Sequence, residues 1–292
     1  MKPTKGENIF HFLVVIFFII ASFCTLYPFW HVLMYAISDP KASMGGGLFF
    51  LPRGFSLYSF ELMLQTKGIF QSYVNSLFRL IVGTFIALLF TAMLAYPLSV
   101  RRFAGRNTIT MLIFFTMLFN GGLIPNYLLI KQLGMLNTLW ALIIPGAISA
   151  WNLFIMKNFF QSIPPELEES ANIDGASPAR TLFSIILPIS MPVMAAVALF
   201  YGVAHWNSYF DAIVYISDPK KQVLQVFLRG MMNVGSLSEV KDVDSMAASS
   251  GTVTEESIKM ATIVMSVLPM LIVYPFLQKY YVKGVLVGSV KG

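Results

Sequence analysis

Gln161-Ser162-Ile163-Pro164-Pro165-Glu166-Leu167-Glu168-Glu169-Ser170-Ala171-Asn172-Ile173-Asp174-Gly175, continued by Ala176-Ser177-Pro178-Ala179-Arg180-Thr181-Leu182-Phe183-Ser184-Ile185-Ile186-Leu187-Pro188, separates two long apolar runs of the chain. It is punctuated as two short helices. Ser162 reads as an N-cap, followed by prolines and by Glu166, Glu168 and Glu169 in a first turn, where carboxylates meet the positive end of the helix dipole. Gly175 stands where a left-handed residue ends a helix. Ser177-Pro178 repeats the N-cap and proline pattern, and Leu187-Pro188 marks a break before the next apolar run. Ile163, Leu167 and Ala171 recur every four residues and share a narrow stripe, with Glu168 and Asn172 on another face. Such a helix lies on a membrane surface or docks in another protein's groove. Surface-lying helices carry Lys or Arg on the polar face. This one carries acids, which anionic headgroups repel, so a protein partner is favoured.

Outward from this loop the chain is strongly apolar. Of 292 residues, 57% are hydrophobic and 12% charged, against about 25% charged in an ordinary soluble domain. Mean hydropathy is +0.71. A soluble chain of this size has too little polar surface to cover so much apolar area. Disordered chains, disulfide scaffolds and typical cytosolic enzymes are excluded. The net charge of +6 belongs to cations flanking membrane spans rather than to a nucleic-acid surface. The one cysteine, Cys24, permits no internal disulfide and no multi-cysteine metal site; it sits in an apolar run as a small hydrophobe.

A bilayer core about 30 Å thick takes roughly 20 helical residues to cross. Stretches free of Asp, Glu, Lys and Arg cover 8–38, 68–100 (interrupted only by Arg79), 107–130, 132–156, 181–210 and 260–278. None alternates with the period of a barrel strand. Six transmembrane helices in an all-α polytopic membrane protein are expected. The first run continues past Trp30 without a cleavage site and reads as an uncleaved span rather than a signal peptide. Arg101, Arg102 and Arg106 in the short loop between the second and third runs place that loop in the cytoplasm. Lys2, Lys5, Lys279, Lys283 and Lys291 put both termini there too (N-in, C-in). Lys220, Lys221, Arg229 and Lys241 in the long segment 216–256 run against this, but long loops obey the rule less well. The other long outer segment, 38–70, carries turn signals such as Met44-Gly45-Gly46-Gly47, as 216–256 carries Ser217-Asp218-Pro219. Ser56 reads as the N-cap of a short surface helix through Leu57-Tyr58-Ser59-Phe60-Glu61.

Glu169-Ser170-Ala171, Asp174-Gly175 and Ile185-Ile186-Leu187-Pro188 resemble, in residue type and spacing, the "EAA" loop of permease subunits in ATP-binding-cassette importers. Ser170 replaces the first alanine, small for small. Asn120-Gly121-Gly122-Leu123-Ile124-Pro125, Leu136-Asn137-Thr138-Leu139-Trp140 and His205-Trp206-Asn207-Ser208-Tyr209-Phe210 resemble the carbohydrate-uptake branch, in particular permeases for oligosaccharides such as the alginate importer. The resemblance is good from about residue 70 to the C-terminus. It implies a type I ABC importer permease fold, one transmembrane domain over 1–292 with a family core at about 70–285, and a coupling loop at 161–188 seated in a cytoplasmic ATPase. Glu169, Ala171 and Gly175 would form the docking core and Asp174 and Arg180 its polar edge, with Glu168, Leu187 and Pro188 in the same coupling set. The implied partners are a second, homologous permease, two ATPases holding ATP and Mg, an extracytoplasmic solute-binding protein, and an oligosaccharide, acidic uronates included. The implied place is the bacterial cytoplasmic membrane.

The residues agree with a non-enzymatic chain that binds no cofactor. There is no G-x-x-x-x-G-K-[ST] phosphate loop, no H-E-x-x-H or Cys/His cluster, and no nucleophile elbow; His11, His31 and His205 are scattered. ATP hydrolysis is expected on a separate subunit. The rival reading, a secondary transporter driven by an ion gradient, calls for ionisable residues at mid-membrane, and only Arg79 and His31 offer themselves. Arg79 has two readings: a cavity residue attracting an anionic or hydroxylated sugar, or an arginine snorkelling from near a span end. His205, Trp206, Asn207, Tyr209 and Asp211 lie about 25 Å along the fifth span, suited to stacking on sugar rings and binding hydroxyls, or to an ordinary interfacial belt. Asn75, beside Ser76 in the second span, has the same two readings. Pro97, Pro145, Pro188, Pro192, Pro269 and Pro275 lie in or near spans and suit kinked helices.

Overall fold

The structure, a computed structural model, describes residues 5–65, 67–232 and 255–289. Lys2, Lys241 and Lys291, which entered the topology argument, lie outside the described residues, as does most of the outer segment 216–256. Every regular element among the described residues is helical: α1 (Lys5–Ala36), α2 (Pro40–Ser43), α3 (Tyr58–Gln65), α4 (Lys67–Ser99), α5 (Arg106–Leu118), α6 (Leu123–Gln132), α7 (Ala150–Gln161), α8 (Pro165–Ile173), α9 (Pro178–Thr181), α10 (Leu187–Ile189), α11 (Met191–Asn207), α12 (Phe210–Tyr215), α13 (Leu224–Met232) and α14 (Glu255–Ser289). The chain forms two compact units, residues 1–70 with 228–268, and residues 71–227 with 269–292.

Among the described residues, three helices are long and apolar enough to cross a membrane: Asn8–Ala36, Gly68–Ser99 and Glu256–Pro275. The expected third and fifth spans are broken. Arg106–Leu118 meets Leu123–Gln132 at 117°, and Pro178–Ile189 meets Met191–Asn207 at 86°. At the first break Gly122 takes φ 87° and ψ 175°, open only to glycine, and Asn120 Oδ1 accepts the Gly122 N–H at 2.9 Å. The second break falls at Ser190, between Pro188 and Pro192. Before it, Leu182–Ile186 widens into a π-helix, which makes room for the Pro188 ring against the carbonyl four residues earlier.

The expected fourth span, 132–156, is not one helix. Gly134 and Asn137 take positive φ (67° and 60°), a 3₁₀ turn covers Leu139–Leu142, and helix resumes only at Ala150. An uncharged run measures apolarity, not helical continuity, and Gly134, Asn137, Pro145 and Gly146 are turn residues inside an apolar stretch. Asn137 pins a distant segment. Its Oδ1 accepts the N–H groups of Ser217 (3.2 Å) and Asp218 (2.9 Å), its own N–H donates to the Tyr215 carbonyl (2.8 Å), and Lys221 Nζ donates to its carbonyl (2.9 Å).

In the unit 71–227 with 269–292, the core joins Ala87, Ala92, Ala95 and Leu98 of α4 to Leu153, Met156 and Phe160 of α7, Leu182 and Ile186, and Val193, Val197 and Tyr201 of α11. Small residues let helices approach where no water drives them together. At Gly83 of α4 a Cβ would stand 2.8 Å from His205 Nε2, and at Gly202 of α11 a Cβ would stand 3.4 Å from Leu80 Cδ1. In the other unit, Met34, Tyr35 and Phe49 cluster with Ile37 and Met260. Ser38 and Phe55 bridge, and Ser56 Oγ accepts the Tyr58 N–H at 3.2 Å as α3 begins.

Candidate functional site

The loop after α7 forms the two short helices its punctuation predicts, with one change at its start. Ser162 does not cap α8: it ends α7, its Oγ donating to the Phe159 carbonyl at 2.7 Å. A serine at the end of one helix finds a bare carbonyl one turn back before it finds a bare N–H ahead. Helix α8 starts instead on Pro165, behind Pro164, with Glu166 and Glu168 in its first turn and Glu169 beyond it. Its end is a Schellman arrangement: Gly175 takes φ 75°, its N–H donates to the Asn172 carbonyl (3.1 Å), and the Ala176 N–H donates to the Ala171 carbonyl (2.9 Å). Ser177 caps α9 as expected, accepting the Arg180 N–H at 3.3 Å. Two helix starts and a glycine stop leave this elbow little backbone freedom.

The faces of α8 differ from the expected stripe. Ala171, assigned to the docking core, is 5% exposed and faces the chain's own bundle. Its small side chain lets the helix lie close to that bundle. Ile163 packs against the core cluster, whereas Leu167 is 39% and Ile173 86% exposed. Glu169, Asp174, Gly175, Arg180 and Pro188 are exposed and Leu187 is half-buried. Glu168 is tied inside the chain: Arg102 Nη2 donates to its Oε1 at 3.0 Å. Arg102 is largely exposed, so the pair contributes little energy, but it links α8 to the loop after α4. A cavity of about 500 Å³ lies beside it, walled by Tyr96, Pro97, Phe103, Leu182 and Phe183 among others.

In the same unit a cavity of about 410 Å³ gathers residues from three stretches of the sequence, Arg79, Ser149, Asn152, Tyr201, His205 and Asp211 among its lining. Arg79 does not snorkel. It is 3% exposed, is ion-paired with Asp211, and donates from Nη1 to the Ser208 carbonyl at 3.1 Å. Its Nε has no partner among the described residues. Asp211 Oδ1 also accepts from Ser208 Oγ (2.8 Å) and the Ala212 N–H (2.9 Å). The buried guanidinium is thus neutralised by a half-buried carboxylate, as burial of a charge requires. Tyr201 spans the cavity floor, its OH accepting the Ser149 N–H at 2.9 Å and pairing with Thr91 Oγ1 at 2.7 Å.

The remaining sequence candidates separate. Asn75 is occupied structurally: Nδ2 donates to the carbonyls of Lys220 and Gln222, both at 2.9 Å, and Oδ1 accepts from Gln71. Ser76 Oγ accepts the Leu224 N–H at 2.8 Å. Trp206 is buried edge-on against Tyr73, ring centres 5.9 Å apart. Asn207 and Tyr209 are exposed and do not line the cavity. Sequence reading missed Tyr201, Ser149 and Asn152, which look like ordinary span residues. Asn152, buried, is a polar residue in an apolar helix and the one detectable signal.

Comparison with known proteins places the chain. Residues 66–287 match the family model described as binding-protein-dependent transport system inner membrane component. Two curated relatives come from Bacillus subtilis (strain 168). The polygalacturonan/rhamnogalacturonan transport system permease protein YtcP is 41% identical over 286 residues, 98% of this chain and 99% of that protein. Protein LplC is 42% identical over 292 residues, 100% of this chain and 98% of that protein. A solved bacterial ABC transporter involved in the import of the acidic polysaccharide alginate contains a chain that superposes with a TM-score of 0.88 at 32% identity, over 96% of this chain and 99% of that one. These findings set aside the ion-gradient transporter.

Proposed function

Because the chain belongs to the binding-protein-dependent transport system inner membrane component family, and is therefore a permease subunit of an ABC importer, we propose that it helps form the path of an acidic oligosaccharide and is driven through α8 by a separate ATPase. The observation that carries the reading is the asymmetry of α8: Ala171 buried inward, Ile173 86% exposed outward beside exposed Glu169 and Gly175. An isoleucine bared to that extent between acids suits an apolar socket with a basic rim. The Schellman stop and the Ser177 cap make the elbow stiff enough to pass on a displacement. ATP and Mg would sit on two such ATPase subunits, and none of this chain's residues is assigned to them.

The cargo reading leans on relatives: one is named for polygalacturonan/rhamnogalacturonan transport, another structure for alginate import. Arg79, His205 and Asp211 are the residues we assign to the path, with Tyr201, Ser149 and Asn152 added. Asn75, Trp206, Asn207 and Tyr209 are assigned to its surroundings. We retain six crossings with both termini in the cytoplasm of a bacterial cell, α5 and α7 carrying the third and fourth as helices of about 20 Å and 18 Å. A homologous permease would complete the path, and a solute-binding protein would deliver the sugar from outside.

Uptake of labelled uronate oligosaccharide, and ATPase activity stimulated by loaded binding protein, test the coupling role. Gly175→Leu forces a β-carbon into a left-handed position, and Glu169→Lys reverses a charge on the outward face. Both are expected to abolish uptake while the chain still reaches the membrane. Wild-type uptake in both variants rejects coupling through α8.

A further inference from the structure

Helices α5 and α7 enclose a groove of about 460 Å³ lined by Asn107, Thr110, Met111, Phe114, Phe154 and Lys157. Lys157 is only 9% exposed. Its Nζ donates to Thr110 Oγ1 at 3.4 Å and stands 5.8 Å from the centre of the Phe154 ring. Arg106, one turn before Thr110 on α5, is near enough to act on Lys157 as a like charge. Among the described residues no carboxylate lies within 4.0 Å of either cation. The contrast with Arg79 is direct: there the fold supplies a carboxylate, and here, among the described residues, it supplies none. A nearly buried ammonium, with a second cation at the head of α5 beside groove-lining Asn107, calls for an anion.

The order of residues along both helices says what kind. On α5 the groove reads Asn107 and Thr110, then Met111 and Phe114. On α7, read backwards from its end, it reads Lys157, then Phe154. Polar and cationic groups cluster at one end and apolar ones follow it, on both walls. Met111 and Phe114 are exposed, free to lie along an acyl chain. The start of α5 adds bare N–H groups, because Gly105 provides no side-chain cap.

We propose that this groove binds an anionic phospholipid, its phosphate between Lys157 and Arg106 and an acyl chain along Met111, Phe114 and Phe154. The chemistry does not depend on membrane orientation. If the loop 161–188 is cytoplasmic, the lipid belongs to the inner leaflet, beside the helix that leads into α8.

Native mass spectrometry of the full-length chain released from nanodiscs tests this, with phosphatidylcholine alone or mixed with phosphatidylglycerol. Wild type is expected to retain phosphatidylglycerol and not phosphatidylcholine. Loss of one cation is expected to lower retention about fivefold, in Lys157→Met and in Arg106→Gln, while Lys157→Arg retains the lipid. Arg106→Gln, at a helix start outside the core, carries the test if Lys157→Met fails to fold. Equal retention of the two lipids, or undiminished phosphatidylglycerol in Arg106→Gln, overturns the proposal. Displacement of the lipid by millimolar inorganic phosphate also overturns it, because the site then takes a free anion.

Discussion

Arg79 and Asp211 are 132 residues apart and meet inside the bundle. Removing Asp211 strands the buried Arg79 charge, at up to about 3–5 kcal/mol, and removing Arg79 leaves a half-buried carboxylate at a smaller cost, whereas replacing both with apolar residues of similar size is often nearly neutral. Arg79→Leu and Asp211→Leu are each expected to lower the unfolding midpoint in detergent, and the double variant to recover most of the loss. Additive losses in the double variant would show that the two residues act separately. Uptake separates structure from transport: the stable double variant is expected to remain impaired if Arg79 meets the cargo. An apolar run gives no hint of this partner, because Asp211 lies just past the end of its own uncharged stretch and only folding carries it to Arg79.

Between helices, α4 and α11 meet at Gly83 and Gly202 with little room to spare. Gly83→Ala puts a methyl group 2.8 Å from His205 Nε2, too near to be absorbed without a shift. The expected cost is about 1–3 kcal/mol, read as a lower thermal midpoint, and His205→Ser in the same chain is expected to restore it. Asn137 tests the break in the fourth apolar run. Asn137→Ala loses the acceptor of the Ser217 and Asp218 N–H groups and strains a positive φ. Faster hydrogen exchange at those two amides is the expected result. The capping residues of α8 and α9 were legible because caps are local: Pro165, Gly175 and Ser177 act on N–H and carbonyl groups within a turn. Ser162 departs from the N-cap its position suggests because two helices compete for a serine that lies between them, and the nearer carbonyl takes it.

For the whole molecule, orientation is the testable property. Cys24 is the single cysteine, so a Cys24→Ser chain accepts one reporter at a time. Asn172→Cys, in α8, is expected to react with an impermeant maleimide only from the cytoplasmic side, and Leu51→Cys, in the segment after α1, only from outside. Reaction of both from one side would overturn the proposed arrangement of crossings. The expected count of six rested on gaps in charge. Those gaps located three uninterrupted helices correctly, α1, α4 and α14, and passed over the bends at Gly122 and Ser190.

Apolar content and helix caps are sums of short-range effects, so the residue order alone was enough to establish a membrane-embedded, all-helical chain with a stiff acidic elbow. Which face of that elbow turns inward, which carboxylate neutralises Arg79, and why Lys157 is left without one depend on contacts between residues far apart in the chain. Those contacts are set by how helices pack around Gly83, Ala87 and Gly202, and no window of sequence contains them.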